Sequence, residues 1–98
     1  MGSFFEVTDK TGRRIRMSGK QWSHITIKHP FMSAYEEEIK ETLKNPDKII
    51  DYGLDESVRY YYKYYKHKKG KNKYLMTLVK YLNGSGFIIS SYFEDKIK

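Results

Sequence analysis

A chain of 98 residues is read as one domain, 1–98, with a modest core, because a chain this short buries only about 60–70% of its unfolded surface. It has no cysteine, which excludes disulfides and thiolate zinc sites and favours an intracellular, cytoplasmic setting; no apolar run approaches the ~18 residues of a membrane span. A net charge of +7 and a pI near 9.5 predict attraction to a polyanion, most often nucleic acid.

The N-terminus shows no signal-peptide pattern, and no function is read into Met1-Gly2-Ser3. Phe4 to Thr8 and Arg13 to Met17 alternate and flank Asp9-Lys10-Thr11-Gly12, which predicts a β-hairpin. Arg13, Arg14 and Arg16 decorate its second strand, read as a solvated edge that charge protects from aggregation, with a functional arginine cluster as the alternative.

Ser18 and Gln21 form a capping box that starts a helix over about Gly19 to Lys28. Pro30 disfavours helical backbone at His29 and stops it there. Helical spacing puts Trp22 and Ile25 on one face, predicted to be buried, and His24 and Lys28 on another. His29 is five residues after His24 and reaches the same neighbourhood only if the chain turns at the helix end. Ser33 to Glu36 reads as a second capping box, and Tyr35, Ile39 and Leu43 form the apolar stripe of a helix to about Lys44.

Period two then takes over. Strands are predicted at Lys48 to Tyr52, Ser57 to Tyr65, Tyr74 to Leu82 and Phe87 to Phe93, with turns at Gly53 to Glu56 and Asn83 to Gly86. The fold class is therefore α+β: an N-terminal β-hairpin, two helices, then a four-stranded antiparallel β-meander.

Histidine ordinarily titrates near neutrality, so His24 and His29 are the candidate proton carriers. On the strand from Ser57 to Tyr65, Arg59, Tyr61, Lys63 and Tyr65 share one face, a basic and aromatic pattern suited to phosphates and stacked bases, or simply a packed strand. Lys66 to Lys73 is a basic hairpin tip whose Lys68 and Lys69 would add salt-dependent attraction to phosphates; His67 is read as solvated. Ser90 and Tyr92 share a face of the last strand, with Ser91 opposite beside Ile89 and Phe93. There is no Gly-rich phosphate loop and no His-x-x-x-His pair, so a nuclease built on this chain is expected to need no metal or other cofactor.

Trp22-x-His24-Ile25-x-x-x-His29-Pro30, then Pro46-Asp47-x-Ile49, Arg59-Tyr60-Tyr61-Tyr62 and a closing Ser90-Ser91-Tyr92 strand resemble the phage-associated branch of the barnase–EndoU–colicin–RelE-like nucleases, from about Gln21 to the C-terminus. The resemblance implies two helices followed by a four-stranded antiparallel meander, and a metal-independent ribonuclease, often a toxin or phage effector. It places the family's paired histidines on His24 and His29, its basic strand residue on Arg59, and its closing hydroxyl–x–aromatic element on Ser90 and Tyr92, where threonine is more usual at the first place. The expectation is a toxin-type endoribonuclease cutting RNA through a 2′,3′-cyclic phosphate. His24, His29, Arg59, Ser90 and Tyr92 are its catalytic set; Lys28, Tyr61, Lys63, Lys68 and Lys69 contact RNA; an acidic antitoxin or immunity protein is its partner. The alternatives are a non-catalytic RNA-binding or regulatory module and a basic domain that binds an acidic protein.

Overall fold

The computed structural model describes residues 3–98; the reading of Met1 and Gly2 lies outside them. Strand β1 (Ser3–Thr8) and strand β2 (Arg14–Ser18) are followed by helix α1 (Gly19–Lys28), a 3-10 turn (Pro30–Ala34) and helix α2 (Glu36–Lys44). Strands β3 (Lys48–Asp51), β4 (Val58–Tyr64), β5 (Tyr74–Leu82) and β6 (Ser85–Glu94) complete the chain. They form a six-stranded sheet in the order β1-β2-β6-β5-β4-β3. The meander β3 to β6 is antiparallel throughout, as predicted. The hairpin is not separate from it: β2 joins β6 in parallel through Ile15 opposite Gly86 and Arg16 opposite Phe87. So the arginine-bearing strand is interior and β1 is the edge, contrary to the sequence expectation.

That junction depends on a missing side chain. A Cβ on Gly86 would come within 2.8 Å of the Ile15 side chain and 3.1 Å of both the Tyr81 ring and the Lys80 carbonyl. Only glycine lets the side chains of Ile15 and Tyr81 close over the strand at that point.

Local signals set the element ends. The Ser18 hydroxyl accepts the Gln21 amide at 3.0 Å and starts α1 where the capping box predicts. Ser33 caps nothing. Pro30 opens a 3-10 turn directly after His29, Ser33 falls inside it, and α2 starts after Tyr35 with no side-chain cap. Asn83 and Gly84 both have positive φ, 55° and 83°, so the last hairpin closes in two residues and β6 begins at Ser85, two residues earlier than predicted.

Both helices pack on one face of the sheet. Ile25, Met32, Ile39 and Leu43 meet Ile15, Met17, Tyr61, Leu75, Val79, Ile88 and Phe93 there. Trp22 is half-buried against this core and stacks on Phe4, ring centroids 5.1 Å apart. The opposite face carries Tyr60, Tyr62, Met76 and Tyr92. The Tyr62 hydroxyl donates to Glu94 at 2.8 Å, and Lys98 closes over Tyr60 and pairs with Glu94 at 3.1 Å. Burial and the Glu94 carboxylate push the Tyr62 phenol up, so it stays a donor.

Candidate active site

Past Phe87 the outer edge of β6 has no strand partner among the described residues, because β2 has already ended its pairing. Helix α1, leaving β2 at Ser18, fills part of that gap. The Gln21 side-chain amide donates to the Ile89 carbonyl and fastens α1 to the free edge. Ile89 is available for this because it is the extra residue of a bulge: Leu78 faces Ser90 but Val79 faces Ile88. The bulge also turns Ile88, not Ile89, into the core, which corrects the pairing of Ile89 with Phe93 on the inner face. Ser91 remains inward and buried, bonded to Thr77 at 3.0 Å and the Met76 carbonyl at 2.8 Å.

Between α1 and this edge lies a cavity of about 460 Å³ lined by Lys20, Gln21, Ser23, His24, Lys28, His29, Ile89 and Ser90, with Ile25 and Ile27. His24 and Lys28 project from one side of α1 as their spacing predicts, both exposed. His29 closes the helix: its amide donates to the Ile25 carbonyl at 2.7 Å, and φ −130°, ψ 78° turn the chain out of the helix before Pro30. That turn brings His29 round to β6, where its ring lies 4.8 Å from the ring of Tyr92. Thus His24, Lys28, His29 and Ser90 line one cleft, and Tyr92 stands outside its lining, against the His29 ring. Lys20, Gln21 and Ser23 join them, and the sequence reading missed these three; Lys20 is four residues before His24, so its spacing was legible. Among the described residues no group of three or more His, Asp and Glu is arranged to hold a metal ion.

Arg59 is not in this cleft. Its Nε pairs with Asp51 at 2.9 Å, its Nη1 donates to the Glu56 and Val58 carbonyls, and its guanidinium lies 6.0 Å from the Tyr81 ring. The strand face it shares with Tyr61 is the one the helices cover, so the predicted basic-aromatic reading surface is largely interior. Tyr61 has no exposed surface and cannot touch RNA. Its hydroxyl donates to Asp9 and is bonded to the Tyr81 hydroxyl. Burial first, then those two bonds, drive its pKa far upward. Asp9 also accepts from the Thr11 amide and hydroxyl, at 2.9 and 2.7 Å, and from the Arg13 amide at 2.9 Å. Arg13 covers Tyr81 at 4.3 Å. Lys63 is held at the Asn45 carbonyl, 2.9 Å away, with Asp47 at 4.0 Å.

The basic tip packs on two phenylalanines outside the cleft's lining. Lys68 lies 4.5 Å from the ring of Phe93 and 5.8 Å from that of Phe31, the neighbours of Tyr92 and Pro30. Lys69 and His67 are exposed. No helix among the described residues is long and apolar enough to cross a membrane.

A family model described as phage-Barnase-EndoU-ColicinE5/D-RelE like nuclease 2 matches residues 3–98. No curated protein and no solved structure matches the chain.

Proposed function

The chain belongs to the phage-Barnase-EndoU-ColicinE5/D-RelE like nuclease 2 family, a family of nucleases, and on that premise we propose that it is a metal-independent endoribonuclease working in the cleft between α1 and β6. The observation that supports this reading is that His24, from the middle of α1, and His29, from its cap, border one cleft with Ser90 of β6, while Tyr92 stands against the His29 ring.

In this reading one histidine takes the proton of a ribose 2′-hydroxyl, the freed oxygen attacks phosphorus, and the P–O5′ bond breaks. The other histidine gives its proton to the departing 5′-oxygen, which leaves a 2′,3′-cyclic phosphate and a 5′-hydroxyl. His24 and His29 fill these two roles. His29 is the more fixed of the two, with its backbone in the helix cap and its ring on Tyr92. The charge that grows on the phosphoryl oxygens is met by Lys28 and Lys20, which flank His24 on α1. They replace Arg59, whose guanidinium is held by Asp51. Ser90 and Tyr92 position the phosphate. Lys68 and Lys69 attract the strand as it leaves the cleft.

A net charge of +7 also suits an acidic protein that would cover the cleft, so the proposed setting is the toxin of a toxin–antitoxin or effector–immunity pair. The test is cleavage of defined RNAs in EDTA with the product ends identified. Cyclic phosphate ends from the parent and none from His24→Ala support the reading; intact RNA with a folded protein ends it. Salt-dependent RNA binding without products would select a non-catalytic module instead.

A further inference from the structure

A second cavity, of about 410 Å³, lies under the tip that joins β4 to β5 and shares no lining residue with the first. Its size falls in the roughly 300–1,000 Å³ range of small-molecule sites. Tyr35 and Tyr65 line it, and both set their rings edge-on to Phe93, with centroids 4.9 and 6.2 Å away. The Tyr65 hydroxyl is fixed, donating to the Glu38 carbonyl at 2.8 Å beside Thr42 at 3.1 Å, so this ring is a rigid wall. The rim carries Lys66, His67 and Lys68, none of them in an ion pair among the described residues. Among the described residues Glu38 is the one acidic residue lining this cavity, and Glu41 and Asp47 also lie near Tyr65, toward its hydroxyl end.

We propose that this cavity is a nucleotide subsite: a base enters between the tyrosines and its phosphate is held by the lysines of the tip. The proposal rests on the ribonuclease reading for its purpose, which is to seat a nucleotide beside the one cut at His24 and His29 and so give the cleavage a base preference. Flat aromatic walls suit a ring stacked on its face, and a ring of cations suits the phosphate attached to it. Lys68 also lies over Phe31, two residues past His29 in the chain, so a strand leaving the first cleft past His29 would run toward the tip. An acidic peptide would satisfy the lysines but leaves the recessed tyrosine walls without a matching group.

The experiment uses the full chain carrying His24→Ala, titrated with guanosine and adenosine 5′-monophosphates, with inorganic phosphate and with a glutamate-rich peptide, while amide shifts are followed by NMR. The expected result is a nucleotide-induced shift at Tyr65 and His67, with phosphate alone bound at least about tenfold more weakly. The double substitution Lys66→Ala and His67→Ala sits on the tip, away from the core, and should weaken nucleotide binding by a similar factor. Phosphate binding as tight as nucleotide, shifts confined to the His24 cleft, or peptide binding at the tip without nucleotide binding would each overturn the proposal. In the parent protein the same double substitution should raise KM more than it lowers kcat and alter the base preference. If the parent cuts no RNA, the ribonuclease reading fails alone and the nucleotide titration still decides the subsite.

Discussion

Two clusters of polar side chains stand apart in the fold. In the cleft beside α1, the side chains of His24, Lys28 and Lys20 face solvent with no protein partner among the described residues. At the junction of the hairpin and the meander, Asp9, Tyr61 and Tyr81 face one another; Asp9 alone takes four hydrogen bonds, and Arg13 and Arg59 lie against the Tyr81 ring. Among the described residues no buried side-chain nitrogen or oxygen lacks a partner. Both clusters hold the residue types of an active site. What separates them is availability: a group already bonded inside the protein must break that bond before it can serve a substrate, and one facing solvent need not. By that criterion the cleft is the candidate for chemistry and the junction is a rivet.

The sharpest way to break this contrast is to exchange what each cluster should lose. His24→Ala should cut cleavage by about 10²–10⁴-fold, the usual worth of a general acid or base, and leave the unfolding midpoint where it was. Parent-like cleavage rates from that variant would dissolve the distinction. Asp9→Ala should do the reverse. It strips the Tyr61 hydroxyl and two backbone amides of their acceptor, and urea unfolding should show a loss of about 3 kcal/mol while cleavage per folded molecule is unchanged. Arg59→Ala tests the border between the two. It belongs to the junction, so cleavage should stay within about threefold of the parent, far below the hundredfold expected from losing a group that stabilises charge on the phosphate. A larger loss would mean that the guanidinium leaves Asp51 when RNA arrives.

The smallest effect lies on the surface beside the junction. Hydrogen bonds from the Ser57 hydroxyl and amide, then Lys80, lower the Asp55 carboxyl from 3.8 to about 2. A carboxyl depressed in the folded state stabilises it above the unfolded pKa and ceases to as the pH falls through the folded one. The parent should therefore lose a small increment of stability between pH 3.8 and about 2 that Asp55→Asn lacks at every pH. Parallel acid-unfolding curves for the two proteins would show that this turn contributes nothing.

The cleft was readable in part because its pieces are local. Ser18, Gln21 and Pro30 fix where α1 starts and ends, and helical spacing then sets His24 beside Lys28. The junction was not readable because β2 finds β6 across nearly the whole chain, and no local pattern encodes a parallel pair at that separation. The facing of β4 was opaque for a different reason. Tyr60, Tyr61 and Tyr62 give both faces the same chemistry, so alternation separates the two sets without saying which one meets the helices. That ambiguity put Tyr61 and Arg59 on a reading surface that the structure buries. The bulge at Ile89 was equally silent, since nothing in Phe87 to Phe93 marks an extra residue.

The two-pair seam over Gly86 has one more consequence, in time and not in space. Loop closure between distant segments is a slow step in assembling a sheet, and here the segments that must meet lie near opposite ends of the chain. A nascent chain that has emerged only as far as β5 already carries both histidines, yet has neither Ser90 nor Tyr92 and no wall opposite α1. The cleft can therefore close only after β6 has left the ribosome.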